Sequence, residues 1–239
     1  MIRRLIILLL IVGCENPTTS KDCAGVTGGD AMSNECGYCV AGSTELHNNF
    51  CGDITDHDGN SYKTVKIGEQ IWMAENLKVT SELSTDSAWC SYFNAIPCLI
   101  PLEAHNPTIL TNESDEYGVL YSKNLLSYNI CSEGWHLPFS YEFDSLFNFL
   151  GYDSTLSSKL MVSDNNYWGV ESGSNNSSGF SVIPHPESIY NRANFWNKTL
   201  WDDGLKYDIS VIDTYYVKSW LPIADNYFGF YASIRCVKD

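Results

Sequence analysis

Apolar side chains recur at helical spacing in one part of the chain, between residues 141 and 150. The positions that share a face there, three and four residues apart, are Phe143, Leu146, Phe147 and Leu150. Ser140 is a good N-cap, and Glu142 places a carboxylate in the first turn, where the helix dipole favours negative charge. Gly151 provides a stop. The pattern predicts a helix over residues 141–150, and a weaker pattern predicts one over residues 155–162.

Alternation of apolar and polar residues predicts short strands on both sides of that helix. Residues 61–67 alternate, and their expected buried members are Tyr62, Val65 and Ile67. A turn at residues 68–70 then leads to a second strand at residues 71–73, so this unit is an antiparallel pair. Further strands are predicted at residues 179–183 and 231–237. The expected fold class is α+β, with short antiparallel strands, one clear helix and long loops.

The first fourteen residues have the layout of a bacterial export signal. Two arginines precede eight apolar residues, 5–12, which are too few to cross a hydrocarbon core that requires about 20. Residues 10–14, which end in Gly13 and Cys14, resemble the lipobox of bacterial lipoproteins. The resemblance implies that the peptide is cleaved before Cys14 and that the thiol of Cys14 is diacylated.

A lipid on Cys14 makes the membrane a partner of the mature protein, because two acyl chains are enough for stable anchoring. Residues 1–13 are then the signal peptide, and residues 14–22 are a polar tether. Glu15 follows the cysteine, so an aspartate signal for retention in the inner membrane is not present at that position. We expect the protein in the cell envelope of a Gram-negative bacterium, at the outer membrane or the cell surface.

Composition and charge exclude one class of partner. The chain has 239 residues, 44% of them hydrophobic, which is enough for a packed core. Its formal net charge is −15, and this becomes −17 when Arg3 and Arg4 leave with the signal peptide. So acidic a surface repels phosphate backbones, and we therefore expect no nucleic-acid partner.

The cysteine count agrees with export. The chain has nine cysteines, at positions Cys14, Cys23, Cys36, Cys39, Cys51, Cys90, Cys98, Cys131 and Cys236. If Cys14 carries lipid, eight remain, and an even set in an oxidising compartment indicates disulfides. The alternative is a zinc site, because Cys36 and Cys39 form a C-x-x-C pair and Cys23 and Cys51 could complete four thiolate ligands.

Residues 23–53 are expected to form a small module of their own. Four cysteines fall between positions 23 and 51, and almost no large apolar residues accompany them. So short a segment cannot bury enough surface without covalent links. Its residues 22–31 and 35–39 resemble short cysteine-containing repeats of bacterial surface proteins, which act mostly as spacers. Four cysteines allow three connectivities, and the sequence does not choose among them.

Five ordered blocks in the remaining part, residues 54–239, carry a family resemblance. The blocks are residues 56–77, 117–121, 131–138, 176–181 and 233–239. Together they resemble the Fibrobacter succinogenes major paralogous domain. The resemblance implies a C-type-lectin-like fold, related also to formylglycine-generating enzymes, in an exported lipoprotein. It further implies a disulfide between Cys131 and Cys236, which leaves Cys90 to pair with Cys98.

The best candidate for ligand contact is the segment of residues 194–203. Sugar sites combine a flat aromatic face with carboxylate or amide groups for the hydroxyls. The candidate residues are Trp196, Asn197, Trp201, Asp202 and Asp203. The alternative is that both tryptophans pack in the core.

No catalytic, cofactor-binding or metal-ligating residue is predicted. Asp56, Asp58 and Asn60 offer oxygens at alternate positions, but the glycine and the glutamate of a calcium-binding EF-hand loop are not at the required spacing. A hairpin turn explains the trio with fewer assumptions. The histidines show no metal-site spacing either; they are His47, His57, His105, His136 and His185.

These observations predict an exported, lipid-anchored protein with a non-catalytic binding domain for a glycan or a protein. One alternative is a purely structural envelope protein. Another is a degenerate enzyme of the formylglycine-generating type, which would require a free thiol in the native protein. The sequence does not indicate the ligand or the oligomeric state.

Overall fold

Antiparallel strands make up most of the fold in the part of the chain that the computed structural model describes. That part comprises residues 20–79, 99–101, 116–123, 126, 130–169, 173–184, 192–223 and 231–239. The strands are β1 (Met32–Ser33), β2 (Cys39–Val40), β3 (Phe50–Thr55), β4 (Ser61–Ile67), β5 (Gln70–Met73), β6 (Leu99–Pro101), β7 (Val119–Ser122), β8 (Trp135–His136), β9 (Arg192–Trp201), β10 (Gly204–Asp213), β11 (Val217–Leu221), β12 (Tyr231–Ala232) and β13 (Val237–Lys238). The helices are α1 (Ser140–Leu150), α2 (Leu156–Leu160) and α3 (Asn165–Trp168). Within these residues, none of the helices has the length and apolar character that a membrane crossing requires.

The largest sheet joins the two ends of the family-like domain. Its strand order is β3-β4-β5-β13-β8, so the last strand of the chain lies between an early strand and a middle one. Val237 of β13 is opposite Trp72 on one side and His136 on the other. Two three-stranded sheets have the orders β11-β10-β9 and β12-β7-β6. The predicted pair of strands at residues 61–73 is confirmed as β4 and β5.

Helix α1 confirms the helical pattern, with its N-terminus one residue earlier than predicted. The helix begins at Ser140, so Phe139 and not Ser140 occupies the N-cap position. Oε2 of Glu142 accepts the backbone N–H of Phe139 at 2.7 Å, so a carboxylate one turn later performs the capping. Phe143 and its apolar partners on the same face are buried, whereas Leu150 is only partly covered.

Two predicted strands and the weaker helix need correction. Residues 179–183 contain only an isolated bridge, between Val182 and Met161, because Gly179 and Ser181 have positive φ angles that break an extended strand. The predicted strand at 231–237 is interrupted: β12 ends at Ala232 and β13 begins at Val237. The helix expected over residues 155–162 is confirmed only as the shorter α2.

Disulfides stabilise both ends of the described structure. Cys131 is joined to Cys236, the pairing that the resemblance implies, and this bridge links the segment before β8 to the segment before β13. In the small module the pairs are Cys23 with Cys39 and Cys36 with Cys51. These two bridges rule out the zinc alternative, because the four sulfurs that would bind zinc are bonded in two pairs. Cys14, Cys90 and Cys98 lie outside the described residues.

The small module is attached to the larger domain by more than its chain connection. Cys51 lies inside β3, so the expected boundary between residues 53 and 54 falls within an edge strand of the five-stranded sheet. Nδ1 of His47 accepts the backbone N–H of Asn49, and its Nε2 therefore carries hydrogen and donates to the carbonyl of Asn176 at 3.0 Å. Asn49 donates to the carbonyl of Ser178 at 3.0 Å. Burial lowers the pKa of His47, which favours this neutral form.

Arg235 lies at the centre of the larger domain and is 1% exposed. Its Nε donates to Oδ1 of Asn76 at 2.9 Å, and its two terminal nitrogens donate to the carbonyls of Phe180 and Ser181. The guanidinium also lies over the rings of Phe180 and Phe195, at 4.6 and 5.3 Å. Burial lowers the pKa of Arg235 to about 9, which leaves the side chain charged at neutral pH.

We expect Arg235→Met to lower the free energy of unfolding by about 3 kcal/mol, because two buried oxygens and one partly buried oxygen lose their donors at once. The measurement is urea denaturation. Lys66→Met is the control, since it removes a partly exposed cation whose carboxylate partner, Glu35, is 82% exposed. That variant should lose less than about 1 kcal/mol. Equal losses from the two variants would contradict a central role for Arg235.

We expect Gly179→Ala to loosen the small module. A Cβ at Gly179 would lie 2.6 Å from Nδ1 of His47, in addition to the strain of a φ of +73°. Gly59→Ala is the control for backbone strain alone, because Gly59 has a φ of +86° and nothing lies within 4 Å of its Cβ position. The control should cost about 1 kcal/mol and Gly179→Ala clearly more.

Urea unfolding measured in a double-mutant cycle with His47→Ala separates the two contributions. Removing the imidazole should reduce the cost of Gly179→Ala to that of Gly59→Ala. If the cost does not change in the His47→Ala background, the contact with His47 does not explain the effect.

Candidate ligand-binding site

Two of the five candidate ligand residues belong to the interior. Trp196 in β9 is 0% exposed, and its Nε1 donates to the carbonyl of Tyr121 at 2.7 Å. Asn197 is equally buried, and its Nδ2 donates to Oγ of Ser210 and to the carbonyl of Ser219 at 2.9 and 3.1 Å. Neither side chain can contact a ligand, so for Trp196 the structure corresponds to the core alternative.

The spacing of the two tryptophans contains a signal that separates them. Trp196 and Trp201 are five residues apart in one strand, and side chains an odd number of residues apart point to opposite faces. Trp196 packs against Tyr121 in the interior, whereas Trp201 is 40% exposed at the end of β9. Asp202 and Asp203 form the exposed turn that follows, between β9 and β10. Strand periodicity therefore excludes a single aromatic face made of both rings.

The second ring at this surface is Trp220 of β11, which is not among the five residues predicted to contact a ligand. Trp220 is 37% exposed, and its ring centroid is 5.5 Å from that of Trp201, with an angle of 52° between the ring planes. The two residues are far apart in the chain and meet because β9 and β11 both pair with β10. Local spacing contains no signal for such a contact.

Asp208 of β10 fixes both indoles. It is 2% exposed, and its Oδ2 accepts the indole N–H of Trp220 at 2.8 Å and that of Trp201 at 3.3 Å. Its Oδ1 accepts the backbone N–H of Ile223 at 3.2 Å. Hydrogen bonds to a carboxylate are stronger than bonds between neutral groups. The indole N–H groups are thus directed inward, and about two fifths of each side chain stays exposed to solvent.

An ion pair lies beside the Trp201 ring. Nζ of Lys206 is 5.2 Å from the centroid of that ring and 2.9 Å from Oδ2 of Asp203. The hydrogen bond from Lys206 lowers the pKa of Asp203. The Asp203 side chain is 68% exposed and that of Lys206 31%, so solvent screens the pair and it contributes little to stability.

Buried polar groups connect the strands beneath this surface. Asn197 of β9 and Ser210 of β10 both donate to the carbonyl of Ser219 in β11, and Oγ of Ser219 donates to Asp144 of α1. Oγ1 of Thr199 donates to Oδ1 of Asn197 at 3.2 Å. The role of Asn197 is therefore to hold the three strands together under the site, which gives the two rings a rigid base.

The trio considered for calcium forms a turn. Oδ1 of Asp56 accepts the backbone N–H groups of Asp58 and Asn60, both at 2.9 Å. Oδ2 accepts Nδ2 of Asn60 at 2.9 Å and the hydroxyl of Tyr62. Burial and the hydrogen bond to Asp56 raise the pKa of Tyr62. The carboxylate of Asp56 is turned into the protein, where it caps the hairpin between β3 and β4.

His136 connects the last residue of the chain to helix α1. Its Nδ1 is 2.6 Å from Oδ1 of Asp239, and its Nε2 is 3.0 and 2.9 Å from the two oxygens of Glu142. Lys198 stands nearby, 4.4 Å from the ring centroid of Phe139, and burial lowers its pKa. The cluster fastens β8, the residue after β13, α1 and β9 to each other, and a structural role explains all of its contacts.

The comparisons with known proteins identify the family. A family model described as the Fibrobacter succinogenes major domain matches residues 65–238, which is more than half of the chain. The comparison with curated proteins and the comparison with solved structures returned no match. The match begins inside β4 and contains the site built on Asp208. The chain belongs to the Fibrobacter succinogenes major domain family.

Proposed function

We propose that this is an exported, lipid-anchored envelope protein whose domain binds a glycan or a protein ligand and does not transform it. The observation that carries the proposal is the Trp201–Trp220 pair, two partly exposed rings held in place by one buried carboxylate. Large aromatic side chains at a rigid, partly exposed position are typical of binding sites, since little conformational entropy is lost when a ligand arrives.

The geometry suits a glycan because the rings offer their faces. Sugar rings present C–H groups that pack on aromatic faces, while their hydroxyls need polar partners nearby. Lys206 and its partner Asp203 supply ammonium and carboxylate groups beside the Trp201 ring. A protein ligand could use the same rings, and the test below separates the two.

The state of the cysteines supports a non-catalytic role. All six cysteines in the described part of the chain are in disulfides. A formylglycine-generating type of enzyme would need a free thiol, and in the described ranges no cysteine offers one. For the described residues, this supports the binding role over that one enzyme class.

Export and anchoring rest on the N-terminal sequence and on the same disulfides. Structural disulfides persist in oxidising compartments outside the cytoplasm. Cys14 is the cysteine that the lipobox explains, and with it the envelope location at the outer membrane or cell surface. Fatty-acid labelling of Cys14 tests both export and lipid anchoring.

The C-type-lectin-like fold is also part of the proposal. Two features support it: the N-terminal and C-terminal strands of the domain share one sheet, and α1 follows directly on the segment of residues 134–138.

We expect Trp201→Ala and Trp220→Ala each to weaken ligand binding roughly tenfold or more, since each removes an aromatic wall of the site. The measurement is a glycan array, together with a pulldown from an envelope extract, with the mature chain as probe. Tyr215→Ala is the control, because Tyr215 is 91% exposed at the opposite end of the hairpin β10–β11. If the wild type binds no glycan on the array and no protein in the pulldown, the purely structural alternative is favoured.

We expect Cys14→Ser to abolish acylation and to move the protein from the membrane fraction to the soluble fraction. The measurement is metabolic labelling with a fatty-acid analogue in a Gram-negative host, followed by fractionation. Cys23→Ser is the control, because it removes a different cysteine and should retain the label. Recovery of the wild type without lipid, with reduced thiols inside the cell, would contradict export.

A further inference from the structure

We infer that the Trp201–Trp220 site selects ligands that carry an organic ammonium group, so that among glycans it prefers those with free amino groups. The inference rests on the proposed binding role of this site and names the chemistry of its ligand. Four observations support it: a cation already placed at the site, the carboxylate behind the rings, the angle between the rings, and the charge of the chain.

The first observation is an ammonium group at the ring. Nζ of Lys206 lies 5.2 Å from the centroid of Trp201, within the distance at which cations are attracted to an indole face. Lys206 comes from the same hairpin, so it acts as an internal occupant that an external ammonium would replace. Its ion pair with Asp203 is exposed and weak, and Asp203 remains in place to pair with the incoming cation.

The second observation is the carboxylate of Asp208. Indoles attract cations because their faces are electron-rich, and a carboxylate that accepts the N–H increases that density. Asp208 accepts from both indoles and is 2% exposed, so solvent screens its charge poorly. The carboxylate thus makes both ring faces attract a cation more strongly than a neutral hydroxyl.

The third observation is the shape of the pair. The planes of the two rings are tilted by 52° and their centroids are 5.5 Å apart, so the rings contact each other and do not form one flat platform. A flat platform suits an extended, neutral sugar chain, whereas a compact cation needs only the exposed face of one ring.

The fourth observation concerns the approach of the ligand. The formal charge of the chain is −15, and so acidic a protein attracts cations over long distances and repels acidic glycans. Uronic or sulfated polymers are therefore disfavoured. The attraction weakens as salt screens it, which adds a simple signature to the binding measurement.

The test compares a glucosamine tetramer with its fully N-acetylated counterpart, by isothermal titration calorimetry of the mature chain at mildly acidic pH, where the sugar amines are protonated. The two probes share one backbone and differ in charge. We expect the amine form to bind at least tenfold more tightly, with affinity falling as salt rises, and tetramethylammonium to compete.

Two variants probe the internal occupant and the carboxylate. Lys206→Gln should tighten binding of the amine form roughly two- to fivefold, because it removes a competing cation–π contact. Lys66→Gln is the matched control: it removes the same charge from a similar lysine–carboxylate pair, with Glu35, in the five-stranded sheet and should have no comparable effect. Asp208→Asn should weaken binding of the amine form more than binding of the acetylated form, with circular dichroism as the check on folding.

The outcomes separate this inference from the proposed function. Equal affinity for both tetramers would overturn the ammonium preference and leave a glycan-binding role intact. Binding of tetramethylammonium without binding of either tetramer would support the ammonium site and exclude glucosamine oligomers as its source. Failure of all three probes would overturn the inference, and the glycan array then decides the proposed function independently.

Discussion

The structure depends most on one buried cation without a carboxylate partner among the described residues. Arg235 donates to an amide oxygen and to two backbone carbonyls, and the faces of Phe180 and Phe195 enclose its guanidinium. Its partner Asn76 donates in turn to the carbonyl of Tyr117 and to Oγ of Ser233. A charge this deep requires every donor to be satisfied, so the segments that supply the acceptors cannot move independently.

The loop that Arg235 holds is also the loop on which the small module docks. On its inner side, Phe180 and Ser181 give their carbonyls to the guanidinium; on its outer side, Asn176 and Ser178 give theirs to the module. The module is thus a fixed part of the domain, attached through β3 and through this loop, and not a separate unit on a flexible stalk.

Local periodicity explains which parts of the fold could be predicted. Helix α1 and the pair β4–β5 follow from spacings of three to four and of two residues, because each buries a face that its own sequence defines. The loop at residues 179–183 has strand-like composition, but left-handed backbone at Gly179 and Ser181 overrides it. The site could be predicted only in part, since Asp208 and Trp220 meet Trp201 through pairing between strands, which no local spacing encodes.

Asp208 is also a buried charged residue, opposite in sign to Arg235, but the two charges have different effects on the structure. Both are buried charges whose partners are uncharged N–H or oxygen groups, and such charges rarely improve stability compared with apolar residues of similar size. All of the contacts of Arg235 point inward, and they unite the core. Two of the three groups bound to Asp208 belong to rings whose other sides face solvent. Because the buried charge of Asp208 orients two exposed rings, its effect is at the surface. The ligand site is therefore expected at Trp201 and Trp220 and not at the fully buried Trp196.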